Sequence, residues 1–220
     1  MTCYLRLHEV AIAVHPTPAQ GEGAETDWDE IGRLWTLAGG VDGRDAALDA
    51  MPVTLVDMDD LPDADLEGFA GLVIAGRADQ LLLAGMKQRI AALLGRGGAV
   101  VFSGQLAEDW LPEATTFEWH QDKADTTGPP RLADHPVFSG VDPEELGHSF
   151  LYANGWHRPP AGAEVIAWRG DGTPGAYVAR AGAGTVLVHS GNNLIANGVT
   201  TTTAARIMPQ LVQWIAGTSR

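Results

Sequence analysis

At 220 residues and 45% apolar content, the chain can bury a sizeable core, and one domain over 1–220 is the expectation. Fourteen basic against 28 acidic residues give a formal charge of −14, which argues against a nucleic-acid or anionic-membrane partner whose phosphates would be repelled. The single cysteine, Cys3, excludes an internal disulfide, and no run approaches the roughly 18–20 apolar residues of a membrane span or the apolar core of a secretory signal, so a cytoplasmic protein is the default.

Residues 9–15 (EVAIAVH) read as the first strand, followed by an acidic loop. Asp27 with Glu30 has the spacing of a capping box, and Trp28, Ile31, Leu34, Trp35 and Ala38 share a helical face that Gly39-Gly40 ends. GRDAALDAM suggests a further helical turn, and Val53–Val56 the next strand.

The stretch from Gly71 to Gln105 is the most informative. Leu72–Ala75 and Ala99–Phe102 are short apolar runs without alternation, as expected of strands covered on both faces. Between them Leu82, Met86, Ile90 and Leu93/Leu94 recur at helical spacing, and Gly95, Gly97 and Gly98 stop the helix. Strand, helix and strand of this length form a parallel crossover unit.

From Gln105 the pattern turns irregular, and ADTTGPPRLADHP reads as loop. Strands return at Glu164–Trp168, Ala176–Arg180 and Thr185–His189, some of them antiparallel at one side of the sheet, with turns at Asp171-Gly172 and Ala181–Gly184. A last helix places Ala204, Ile207, Met208, Leu211, Trp214 and Ile215 on one face.

Four phrases (LEGFAGLVIAG, GGAVVFSG, ADHPVFSGVDPEEL and GAYVARAGAGTVLVHSG) give the chain a resemblance to the class I glutamine amidotransferase-like superfamily, and within it most of all to the ThuA-like (trehalose-utilisation) group. An HP-x-x-x-G phrase, here His135-Pro136 to Gly140, leads on to an aromatic, Tyr152, and Gly182 to Val186 supplies a G-x-G-x-V strand. The resemblance spans roughly residues 50–195. It implies a three-layer flavodoxin-like α/β fold, a mostly parallel sheet with helices on both faces, and a homodimer, and the irregular pattern after Gln105 marks a long insertion in that domain at about 106–160.

A working glutaminase of this fold carries a cysteine in the tight turn after the central strand, here around Ser103-Gly104-Gln105, and ends its late strand in His-Pro-Glu or similar, here His189-Ser190-Gly191. The chemistry needs a thiolate activated by an oriented imidazole, so glutaminase activity is not expected.

Ligands of open parallel sheets bind beyond the carboxyl ends of the strands. That rule gathers His15, Arg77, Ser103, Gly104, Gln105, His189, Asn192 and Asn193 on one edge, with Asn154 and Trp156 as further contacts for a small polar ligand, carbohydrate included. Ser103 and His189 also read as a serine nucleophile and its base, although the framing glycines of G-x-S-x-G are missing. The competing assignment, a Ser103 cap on a following helix, is preferred. Trp110, Phe117, Trp119, Tyr152 and Trp156 suit either sugar stacking or local packing, with packing preferred. His15, His120, Asp122, His135 and His157 lack H-x-x-x-H or H-E-x-x-H spacing, so no metal and no cofactor are assigned. The leading expectation is therefore a non-glutaminase ligand-binding domain with 106–160 as a lid. A serine hydrolase and a structural or self-association module are the alternatives.

Overall fold

The computed structural model describes residues 10–14, 52–74, 78–120, 129–146, 150–151, 154–192, 194 and 202–218. Strands β1 (Val10–Val14), β2 (Val53–Asp57), β3 (Gly71–Ile74), β4 (Ala99–Ser103), β6 (Arg131–Leu132), β8 (Glu164–Trp168), β9 (Pro174–Ala181) and β10 (Gly184–His189) form one sheet. Their order is β2-β1-β3-β4-β10-β9-β8-β6. The first five run parallel, and β9, β8 and β6 extend the sheet antiparallel. Within the parallel part, the order is the flavodoxin-like one. Strands β5 (Phe117–Trp119) and β7 (Gly155–His157) pair as a separate antiparallel ribbon.

Alternation along the strands divides the core in two. Leu72 and Ile74, Val100 and Phe102, and Val186 and Val188 pack with Leu83, Met86, Ile90, Leu93 and Leu94 of helices α1 (Gln80–Gly85) and α2 (Lys87–Gly95). Val73, Val101 and Leu187 face the other way, onto Ile207, Met208, Leu211 and Ile215 of α3 (Ile207–Thr218). Helices thus cover both faces, which is why β3, β4 and β10 are buried along their whole length and carry no polar alternation.

The expected single helix is two, joined at Met86. Asp79 Oδ1 accepts the amides of Leu81 and Leu82 and sets the start of α1, and Leu83 rather than Leu82 takes the fully buried position. At the far end, Gly97 N–H donates to Leu94 O and Gly98 N–H to Leu93 O, a Schellman closure that needs the positive φ of 93° at Gly97. Gly182, with φ of 63°, opens the two-residue turn between β9 and β10, while Gly184 leaves no room for a Cβ against the Gly98 carbonyl. Those two demands account for the G-x-G phrase. The stretch expected as an irregular insertion contributes the β5–β7 ribbon and the short edge strand β6. The helix expected at 27–38 and the turn in GRDAALDAM lie outside the described residues.

Candidate functional site

Four parallel neighbours, β1, β3, β4 and β10, end on the same edge of the sheet, and the strand order reverses between β1 and β3. His15, Arg77 and Asn193 lie outside the described residues. At the β4–β10 end the register sets Ser103 opposite His189. Both follow the alternation of Val101 and Leu187 onto the α3 face.

Ser103 Oγ lies 3.3 Å from His189 Nδ1 and accepts the Leu194 amide at 3.3 Å. Ser103 is 1% and His189 0% exposed. Phe150 packs on the imidazole with ring centroids 4.9 Å apart, and a Cβ at Gly191 would overlap both the Phe150 carbonyl and the His189 ring. Burial pulls the His189 pKa down to about 3, with the charge of His157 adding to it and the Phe150 backbone opposing. No described carboxylate bonds His189 Nε2, so none orients the ring.

A serine nucleophile needs a strained turn and free amides for the oxyanion. Among the described non-glycine residues positive φ occurs only at Glu113, so Ser103 is unstrained. The Gly104 amide is already donated to His189 O at 3.0 Å. Residues 104–116 contain no helix, so the expected helix-cap role of Ser103 is incorrect. The hydroxyl instead serves the Leu194 amide and the His189 ring.

A second serine–histidine pair sits beside the first. Ser190, next to His189, lies with its Oγ 2.8 Å from His157 Nδ1 and accepts the His157 amide at 3.1 Å. His157 Nε2 accepts the Leu106 amide at 3.1 Å, which places the ring proton on Nδ1. Phe102 and Phe117 flank this ring edge-on at 6.2 and 5.1 Å. Burial holds its pKa down at about 4.

The remaining candidates separate. Gln105 is partly exposed, and its carbonyl accepts Gln80 Nε2 at 2.6 Å. Gln80 Oε1 takes the Ala107 and Glu108 amides, a clamp with no local sequence signal because its partners lie some 25 residues away. Asn154 and Asn192 are partly exposed, and Asn154 O accepts the His120 amide. Alternation turns Trp156 to the ribbon face opposite His157, with Glu118 beside it and Arg158 5.8 Å from its ring, so Trp156 does not face Ser103 and His189. Trp110 and Phe117 are core, whereas Trp119 is 63% exposed.

The histidines weighed as metal ligands have separate tasks. His120 Nε2 meets Arg169 at 2.6 Å, and that buried guanidinium also reaches Asp171 and the Gly155 carbonyl. His135 Nδ1 accepts the Val137 amide at the start of a 3-10 turn that closes near Gly140, with φ of 68°. The H-P-x-x-x-G phrase is thus a capped turn. His15 and Asp122 lie outside the described residues, and no three metal-ligating side chains converge among the described ones.

No family model and no curated protein matches the chain. Solved structures do. A protein assigned as part of a GMP synthase from Thermoplasma acidophilum is 11% identical, with 97% of this chain and 96% of that one covered and a TM-score of 0.52. A glutamine amidotransferase from Thermotoga maritima is 12% identical, with coverages of 94% and 81% and a TM-score of 0.50. A β-galactosidase from Halorubrum lacusprofundi is 18% identical, with 96% of this chain but 30% of that one covered and a TM-score of 0.50. The chain spans about a third of the length of the glycosidases it matches. These likenesses establish the fold.

Proposed function

We propose that this amidotransferase-fold chain is a non-glutaminase domain of the ThuA-like kind that binds a small polar ligand, carbohydrate first among the candidates, at the strand-end edge. One observation carries the reading: where glutaminases of this fold hold their thiol, this chain holds a hydroxyl and a neutral imidazole sealed from solvent. Because the β4–β10 end is filled, the ligand belongs at the β1–β3 end of the same edge, where the strand order reverses. His15 and Arg77 follow those two strands closely in sequence. The occurrence of this fold within a β-galactosidase supports the carbohydrate choice. The proposal includes a cytoplasmic homodimer with neither a nucleic-acid nor a membrane partner. Among the described residues no helix is long and apolar enough to cross a membrane.

A thermal-shift and calorimetric screen with mono- and disaccharides, nucleotides and amino acids tests this reading. A saturable shift with a sugar, lost in Arg77→Ala and kept in Ser103→Ala, is the expected result. No binding by any class, or binding abolished by Ser103→Ala alone in a folded protein, would reject it. The 3.3 Å contact taken alone favours a serine hydrolase, but the enclosure, the unstrained backbone and the occupied Gly104 amide all oppose that reading.

A further inference from the structure

We infer that His157 is an acid-released latch, which holds the segment after β4 against the end of β10 only while its ring is neutral. Its ring bonds to both sides: Nε2 accepts from Leu106, in the segment leaving β4, and Nδ1–H donates to Ser190, directly after β10. An imidazolium has no lone pair. Adding a proton at Nε2 replaces the acceptor by a donor aimed at the Leu106 N–H, so the bond across the gap becomes a repulsion.

Among the described residues no acidic side chain is bonded to the ring. Phe102 of β4 and Phe117 of β5 pack on the ring in T-shaped contacts and offer no hydrogen-bond acceptor for a second ring N–H, and Ser190 Oγ already accepts twice. The titratable group beside the ring is His189, itself a potential cation. Arg158, next in sequence, is engaged with Glu118 on the opposite face of the ribbon. Since His157 is 1% exposed, protonation and detachment are linked: the ring accepts its proton when the 104–108 segment leaves.

Hydrogen exchange of the full chain, corrected for intrinsic rates and resolved at the Leu106 amide, tests the latch between pH 7 and 4.5. The His157→Gln variant supplies the comparison, because its Oε1 can accept from Leu106 and its amide can donate to Ser190 without titrating. Towards the acid end, the opening constant should rise by about tenfold per pH unit more steeply in the wild type than in His157→Gln, one proton's worth of linkage. Equal slopes would overturn the inference. An independent measurement on the wild type, the ¹⁵N shifts of the His157 ring at neutral pH, should report an Nδ1–H tautomer. An Nε2–H tautomer would overturn the latch even if the Gln variant failed to fold.

Discussion

Ser103 Oγ and His189 Nδ1 stand 3.3 Å apart at the adjoining ends of β4 and β10, and neither residue reaches solvent. Proximity of hydroxyl and imidazole is necessary for a nucleophile and base, but here it comes with a hydroxyl that also accepts the Leu194 amide. The pair therefore ties two neighbouring strand ends to the segment that follows β10. Ser103→Ala removes the acceptor for that buried amide and the partner of the ring. Chemical denaturation should show a loss of about 1–3 kcal/mol, and an unchanged midpoint would mean that the hydroxyl holds nothing.

Two buried neutral imidazoles make stability depend on pH. Burial lowers the folded-state values of His189 and His157 to about 3 and about 4. A histidine with a depressed folded pKa contributes stability above its unfolded value, and that contribution is lost as pH falls from about 6.5 towards the folded value. Urea unfolding should therefore weaken by about 4 kcal/mol between pH 7.5 and pH 5. Constant or rising stability over that window would show that the rings are not held neutral.

Gly191 carries no spare volume, since a Cβ there would overlap the Phe150 carbonyl and the His189 ring. Gly191→Ala should cost about 3 kcal/mol through overpacking. Gly85→Ala is the control, with nothing within 4 Å of the added carbon at the end of α1, and should be neutral or stabilising by up to about 1 kcal/mol. Thermal melts of the two variants would expose an error in the packing if their order were reversed.

Arg169 is enclosed and bonded to Asp171, His120 and the Gly155 carbonyl, joining the β8–β9 turn to the ribbon. Arg169→Met keeps much of the apolar stem but leaves three polar partners without the guanidinium. It should cost about 3 kcal/mol and raise protease cleavage within residues 117–120. A stable, uncut variant would show that the network is dispensable.

The sheet was legible because burial on both faces writes itself as local apolar runs. Glu164–Trp168 forms a strand over those residues, and Ala99–Phe102 extends by one residue to Ser103. The helix phase was less so, because Leu81, Leu82 and Leu83 are chemically alike and nothing local says which of them turns to the sheet. For the site, parallel strand ends could be aligned from order alone, and this put Ser103 beside His189. What closes that end could not be read. The Ser190–His157 pair spans 33 residues, and the Gln80 clamp spans 25 and more, so neither leaves a local pattern.

The central claim is that the serine at the nucleophile position is structural, and covalent labelling tests it most directly. Incubating the folded chain with a fluorophosphonate probe and with a glutamine-analogue electrophile, followed by peptide mass spectrometry, should yield no adduct on Ser103 at neutral pH. A stoichiometric Ser103 adduct that disappears in His189→Ala would contradict the account.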